Sequence, residues 1–134
     1  MMADIHNYKQ SFERAIERIK ENQVISEENK EIILNFKDYL LSEGIGLAKI
    51  GRYLCDLIKL SRMLRKTFSE ADKEDLRHVV AELEQTNLAA ETKKGFKIML
   101  RKLYRFIRGV EEKGISVSKD EWIVIISILA FAFL

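Results

Sequence analysis

The residues with the clearest chemistry in this sequence are lysines and arginines that recur at helical spacing in two stretches. Between Leu47 and Lys66 there are six basic residues and one acidic residue. Between Thr92 and Arg108 there are seven basic residues and no acidic residue. Cations at such spacing share one side of a helix, where they can neutralise a row of phosphates. These stretches therefore offer anion binding, and duplex DNA is the partner that they favour.

Both stretches separate charge from apolar residues. At 100° per residue the cations of the second stretch share an arc of about 120°: Lys93, Lys94, Lys97, Arg101, Arg105 and Arg108. An arc of similar width on the other side is apolar: Phe96, Met99, Leu100, Leu103, Phe106 and Ile107. The first stretch behaves alike, with Lys49, Arg52, Lys59, Arg62 and Lys66 opposite its apolar side chains. We expect each helix to bury its apolar face and to hold its basic face, including Lys94 and Lys97, in solvent.

Acidic stretches alternate with the basic ones. The segments Glu21–Glu43 and Ser69–Thr86 each hold six acidic and two basic residues, so the net charge of +2 conceals a strong segregation of charge. A single basic helix face is compatible with ordinary solvated surface, or with pairing to acidic neighbours. Two such faces favour a binding surface, because like charges repel by a few tenths of a kcal/mol per i,i+4 pair and an anion would relieve that repulsion.

Five predicted helices position these residues. Helix caps and 3.6-residue periodicity place them at about 4–22, 26–43, 47–65, 72–84 and 90–108. Ser26 and Asp72 are expected N-caps, Gly44 an expected left-handed C-terminal residue, and Gly109 the end of the last helix. Proline is absent and no Gly/Ser-rich run occurs, which favours short turns. The sequence thus predicts an all-α fold, a compact bundle of four to five short helices.

The sequence gives little support for a disulfide, a metal site or a secretory signal. Cys55 is the single cysteine, which excludes an internal disulfide and favours a packed thiol in a reducing cytoplasm. His78 has no histidine or cysteine at i+3 or i+4, and the acids Asp72, Glu74 and Asp75 suit a helix start better than a metal. The first twenty residues are polar rather than a secretory signal. We expect no cofactor, no metal and no small-molecule substrate.

Three segments together resemble a known family. They are GLAKIGRYL at 46–54 followed by Leu57 and Leu60, KEDLRHVVAELE at 73–84, and TKKGFKIMLRKLYRFIRG at 92–109. In order and spacing they resemble the N-terminal core-binding domain of tyrosine recombinases, the SAM-like phage-integrase domain, and most of all its archaeal members. The likeness extends over about residues 8–114. It departs from the family pattern where Gly46 and Ala89 replace serines and Lys49 replaces a threonine.

The resemblance implies a helical DNA-binding domain at residues 1–114, with a linker and apolar tail at 115–134. Such a domain clamps one side of a recombination half-site in site-specific recombination or DNA integration, with its two basic helices at the major groove. The DNA contacts that the resemblance implies are Lys49, Arg52, Thr92, Lys93, Lys94, Lys97 and Arg101. The family's catalytic arginines, lysine, histidines and tyrosine lie on a second domain, whereas only 20 residues follow Gly114 here. We therefore expect no enzyme activity.

The apolar tail at 122–134, WIVIISILAFAFL, leaves alternatives open. Its 13 residues fall short of the roughly 20 that span a bilayer, and it lacks basic flanks, which disfavours a membrane role. Two interpretations of the tail remain. It is either a non-family end produced by truncation or frameshift of a longer recombinase, or a short apolar helix that packs on the bundle or mediates self-association. The competing function is accordingly a helical protein-interaction module that docks an acidic partner or self-associates through this tail.

Overall fold

The computed structural model describes residues 2–109, with side chains from Asn7 onward. The predictions for the linker and the apolar tail lie outside the described residues. The elements are α1 (Met2–Glu21), α2 (Glu27–Ser42), α3 (Leu47–Leu64), a 3-10 helix (Phe68–Glu70), α4 (Lys73–Glu84) and α5 (Ala90–Arg108). No strand occurs among these residues. The predicted all-α fold with four to five helices is confirmed.

The predicted caps lie at the helix ends where they are expected. The Ser26 hydroxyl accepts a hydrogen bond from the Asn29 backbone N–H at 3.1 Å at the start of α2. Asp72 and Asp75 form a reciprocal capping box before α4, with both bonds at 2.9 Å. Gly44 follows α2 with φ +80°, a left-handed conformation that costs glycine little. Asp72 and Asp75 therefore serve the backbone of α4, whereas Glu74 pairs with Arg77.

The chain divides into two compact units, of which the first ends at Phe68. In this unit α3 packs against both α1 and α2. The apolar stripe of α3 is fully buried at i, i+4, i+7 and i+10, namely Ile50, Leu54, Leu57 and Leu60. α1 contributes Ala15 and Ile19 to the buried core, and α2 contributes Ile33, Phe36 and Leu40. This burial fixes which side of α3 faces solvent.

Asn29 ties the start of α2 to the segment that follows α3. Its side chain is buried, and its Oδ1 accepts from the Phe68 backbone N–H at 2.8 Å. Its Nδ2 donates to the Lys66 carbonyl at 3.2 Å. A buried amide thus satisfies backbone groups that no helix ladder reaches.

The second unit begins at Ser69, and its described part is the pair α4 and α5 with the turn before them. α4 buries Leu76, Val79 and Leu83, and α5 packs against it. The buried apolar residues of α5 are Phe96, Met99, Leu100, Leu103 and Tyr104. At its end the Arg108 guanidinium donates to the carbonyls of Ser69 and Ala71 at 3.3 and 3.4 Å, and Gly109 ends the helix with φ +73°.

Candidate nucleic-acid interface

The outer face of α3 and the residues just after it carry six exposed cations. They are Lys49, Arg52, Lys59, Arg62, Arg65 and Lys66. Among the described residues, none of the first five forms an ion pair. Two of the predicted DNA contacts, Lys49 and Arg52, are therefore exposed as expected. A helix of 18 residues is about 27 Å long, so this face can reach several phosphates of a duplex.

The only acidic residue in this stretch, Asp56, is buried beside the cations. Asp56 is only 7% exposed, and burial raises the pKa of its carboxyl to about 6, with Lys59 and Arg52 opposing the shift. A carboxylate in this position costs free energy because water no longer solvates its charge. The solvent-facing side of α3 consequently presents cations and no carboxylate.

The basic face of α5 is different, because a carboxylate from α4 engages it. Glu84 accepts a hydrogen bond from the Lys97 ammonium and lies 3.8 Å from the Lys93 ammonium. Lys93 also donates to the Glu84 carbonyl oxygen at 3.1 Å, where α4 ends. The hydrogen bond from Lys97, chiefly, holds the pKa of Glu84 below its usual value. Lys93 and Lys97 therefore join α4 to α5.

The prediction that Lys97 lies in solvent is wrong. Lys97 is only 4% exposed, and its neighbour along the same side of the helix is the buried Tyr104. These two positions are seven residues apart, hence only about 20° apart around the helix. The buried face of α5 thus covers a wider arc around the helix axis than the arc of its apolar residues. It takes in Lys97, whose ammonium remains satisfied by Glu84.

The other predicted contacts on α5 divide by exposure. Thr92 and Lys94 are exposed, and Lys94 makes no ion pair with any described residue. Lys93 and Arg101 are half-buried. The accessible predicted residues of this helix are therefore concentrated in its first turn.

The two basic helices also share an open N-terminus. Gly46 before α3 and Ala89 before α5 make no side-chain capping hydrogen bond. The acidic helices α2 and α4 are capped by Ser26 and Asp72, and carboxylates lie in the first turns of α2, α4 and α5 but not in that of α3. Uncapped N–H groups at a helix start, with the positive end of the helix dipole, suit a phosphate.

A glycine lies inside each basic helix without a packing reason for it. A Cβ placed on Gly51 in α3 or on Gly95 in α5 would meet nothing within 4 Å. Glycine in a helix interior costs about 0.5–1 kcal/mol relative to alanine. Both positions therefore leave the helix backbone open to an approaching ligand at a cost in stability.

A basic groove, which the sequence analysis missed, lies between α1 and α3. Its lining includes Arg14 and Arg18 of α1 and Arg52 of α3. The i,i+4 spacing of Arg14 and Arg18 indicates that both lie on one side of α1, but α1 carries mixed charges and its sequence does not stand out as basic.

Cys55 also lines this groove and is exposed, so the prediction of a packed thiol is wrong. At 100° per residue it lies on the side of α3 opposite the buried apolar stripe, and it therefore faces outward.

Other classes of site are not supported by the described side chains. Among them no group of three or more histidine, cysteine, aspartate or glutamate residues could hold a metal ion, and His78 is exposed. No described helix has the length and apolar character needed to cross a bilayer.

Comparisons with known proteins give this chain no relative. No protein-family model, no curated protein and no solved structure matches it. The likeness to recombinase core-binding domains therefore depends on the three segments at 46–60, 73–84 and 92–109, and the case for a binding site depends on its geometry.

Proposed function

We propose that this chain is a non-catalytic duplex-DNA-binding module whose main contact surface is α3, with the first turn of α5 as a second contact. The observation that carries the proposal is the outer face of α3 with the two residues just after it, where six cations are exposed and the one carboxylate is buried. Lysine and arginine on such a face exchange condensed counterions for phosphates, which drives binding. Lys49, Arg52, Lys94 and Thr92 serve chiefly to position the module on the backbone.

Several further features support this function. The basic helices begin without caps, and each contains a glycine that internal packing does not require. The resemblance to the core-binding domain of tyrosine recombinases supplies a role, namely holding one side of a half-site during site-specific recombination. We place this role in the cytoplasm, in keeping with a single unpaired cysteine.

Removing charge from α3 tests the proposal. In a Lys49→Gln/Lys59→Gln variant we expect weaker binding to a fluorescent duplex and a plot of log K against log salt that is shallower by about 2, since each lost phosphate contact removes about 0.9. The matched control is Lys9→Gln/Lys20→Gln, which removes two exposed lysines of α1. The control should keep the wild-type slope. Equal slopes for both variants would show that α3 is not the contact surface.

The second candidate is a protein-interaction module that docks an acidic partner. It is favoured by Glu84, whose carboxylate engages Lys93 and Lys97 of α5. Competition separates the two functions. A DNA-binding surface should release labelled duplex to unlabelled duplex at far lower charge concentration than to polyglutamate. Equal competition by the two polyanions would favour the protein partner.

A further inference from the structure

The groove between α1 and α3 has a volume of about 340 Å³. Small-molecule sites commonly enclose about 300–1,000 Å³, so this one has room for a small group such as a phosphodiester. The residues with polar side chains in its lining are Arg14, Arg18, Arg52, Tyr8, Ser11 and Cys55. Each of these groups can donate a hydrogen bond, and guanidinium can bind phosphate in a bidentate manner.

The charge of the groove is uncompensated within its own lining. No carboxylate occurs among the lining residues. Glu13, Glu17 and Glu21 line a second pocket together with Arg14 and Arg18, but neither arginine forms an ion pair with any described residue. Arg14 and Arg18, one helical turn apart, also repel each other. An anion in the groove would relieve that repulsion.

On the side of the groove formed by α3, no side chain covers the helix backbone at Gly51. Gly51 lines the groove between Ala48 and Cys55, and a Cβ at Gly51 would meet nothing within 4 Å. A ligand can therefore approach the backbone of α3 closely at this point. Arg52 belongs both to this groove and to the exposed cationic face of α3. The groove is thus continuous with that face.

We propose that this groove binds a backbone phosphate of the same DNA that lies on α3, held by Arg14, Arg18 and Arg52. This inference rests on the proposed function and extends its interface onto α1. Continuity with α3 favours a phosphate of the duplex over a free phosphorylated molecule, because Arg52 lies in the groove and Lys49, one turn earlier, is already exposed beside it. The contact is to the phosphate and is independent of base sequence.

Two variants test the groove in the full chain. Arg14→Gln/Arg18→Gln removes two cations, and we expect roughly tenfold weaker duplex binding and a salt slope shallower by about 2. Gly51→Gln leaves the charge unchanged but places a side chain in the groove, and it should also weaken binding. The Lys9→Gln/Lys20→Gln variant changes charge on the same helix outside the groove lining and should bind as wild type does.

The outcomes separate this inference from the proposed function. If wild type binds duplex and Arg14→Gln/Arg18→Gln has the same affinity and slope, the groove is not part of the interface, while the function of α3 stands. If wild type fails to bind duplex, both proposals fall. A third outcome is that pyrophosphate raises the melting temperature of wild type but not of Arg14→Gln/Arg18→Gln, while both proteins bind duplex equally. The groove would then serve a free phosphorylated molecule, and the proposal that it binds a DNA phosphate would be overturned.

Discussion

At the scale of single residues, neighbours on one predicted face have different roles. Lys94 and Lys97 share the basic arc of α5, but Lys94 is exposed whereas Lys97 is buried against Glu84. Periodicity locates a residue around a helix to within an arc, and it does not say how far the packing partner covers that arc. A Lys97→Glu change would place a buried carboxylate beside the exposed carboxylate of Glu84. Lys94 is the better position for testing DNA contact on α5.

Asp56 leads to a pH-dependent prediction. Burial raises its pKa to about 6 from an ordinary 3.8, so the folded state favours the protonated carboxyl. The cost of holding the charged form is absent below about pH 3, grows as pH rises, and is complete above about pH 7. Two pKa units correspond to at most about 3 kcal/mol.

The neutral replacement Asp56→Asn removes this cost. We expect urea unfolding to show Asp56→Asn more stable than wild type by about 1–3 kcal/mol at pH 7.5, with the difference vanishing at about pH 3. A difference in stability that is the same at both pH values would mean that the charge of Asp56 is not responsible.

At the scale of helices, local signals in the sequence predict a good deal. Ser26, Asp72, Gly44 and Gly109 lie at helix ends as predicted, because capping depends on residues a few positions apart. The pairing of Glu84 with Lys97 could not be predicted in the same way, since it joins two helices across a turn whose geometry the sequence does not specify. The groove at Arg14 and Arg18 was missed for a similar reason: it exists only where α1 packs on α3.

The helix-interior glycines supply a prediction at this scale. Gly51→Ala and Gly95→Ala should each raise the free energy of unfolding by about 0.5–1 kcal/mol, because alanine is the better helix former and its methyl group meets no atom within 4 Å. If DNA approaches the backbone there, the same changes should weaken duplex binding measured by fluorescence anisotropy.

Gly44→Ala is the control for these variants. At φ +80° an alanine is strained, so this variant should lose stability and, where folded, bind DNA as wild type does. Gly51→Ala and Gly95→Ala variants that are more stable and bind duplex with unchanged affinity would show that neither glycine serves DNA approach.

At the scale of the whole molecule, the four helices after α1 alternate in charge and in how they begin. α2 and α4 lie in acidic stretches and are capped by side chains, whereas α3 and α5 lie in basic stretches and begin without such caps. The net charge of +2 conceals the alternation of charge, but counting charges segment by segment along the sequence reveals it. The structure shows that the accessible cations lie mainly on the outer face of α3 and just after it. This cationic face is the main support for the proposal that the molecule is a DNA-binding module.

The most direct test of that role is the salt dependence of binding by the wild-type chain to a duplex of random sequence. If about five of the six cations on α3 and just after it neutralise phosphates, the logarithm of the association constant should fall against the logarithm of salt concentration with a slope near −4 to −5. Fluorescence anisotropy measured upward from about 50 mM salt gives this slope. A flat plot, or no binding at the lowest salt concentration, would contradict a DNA-binding role for α3.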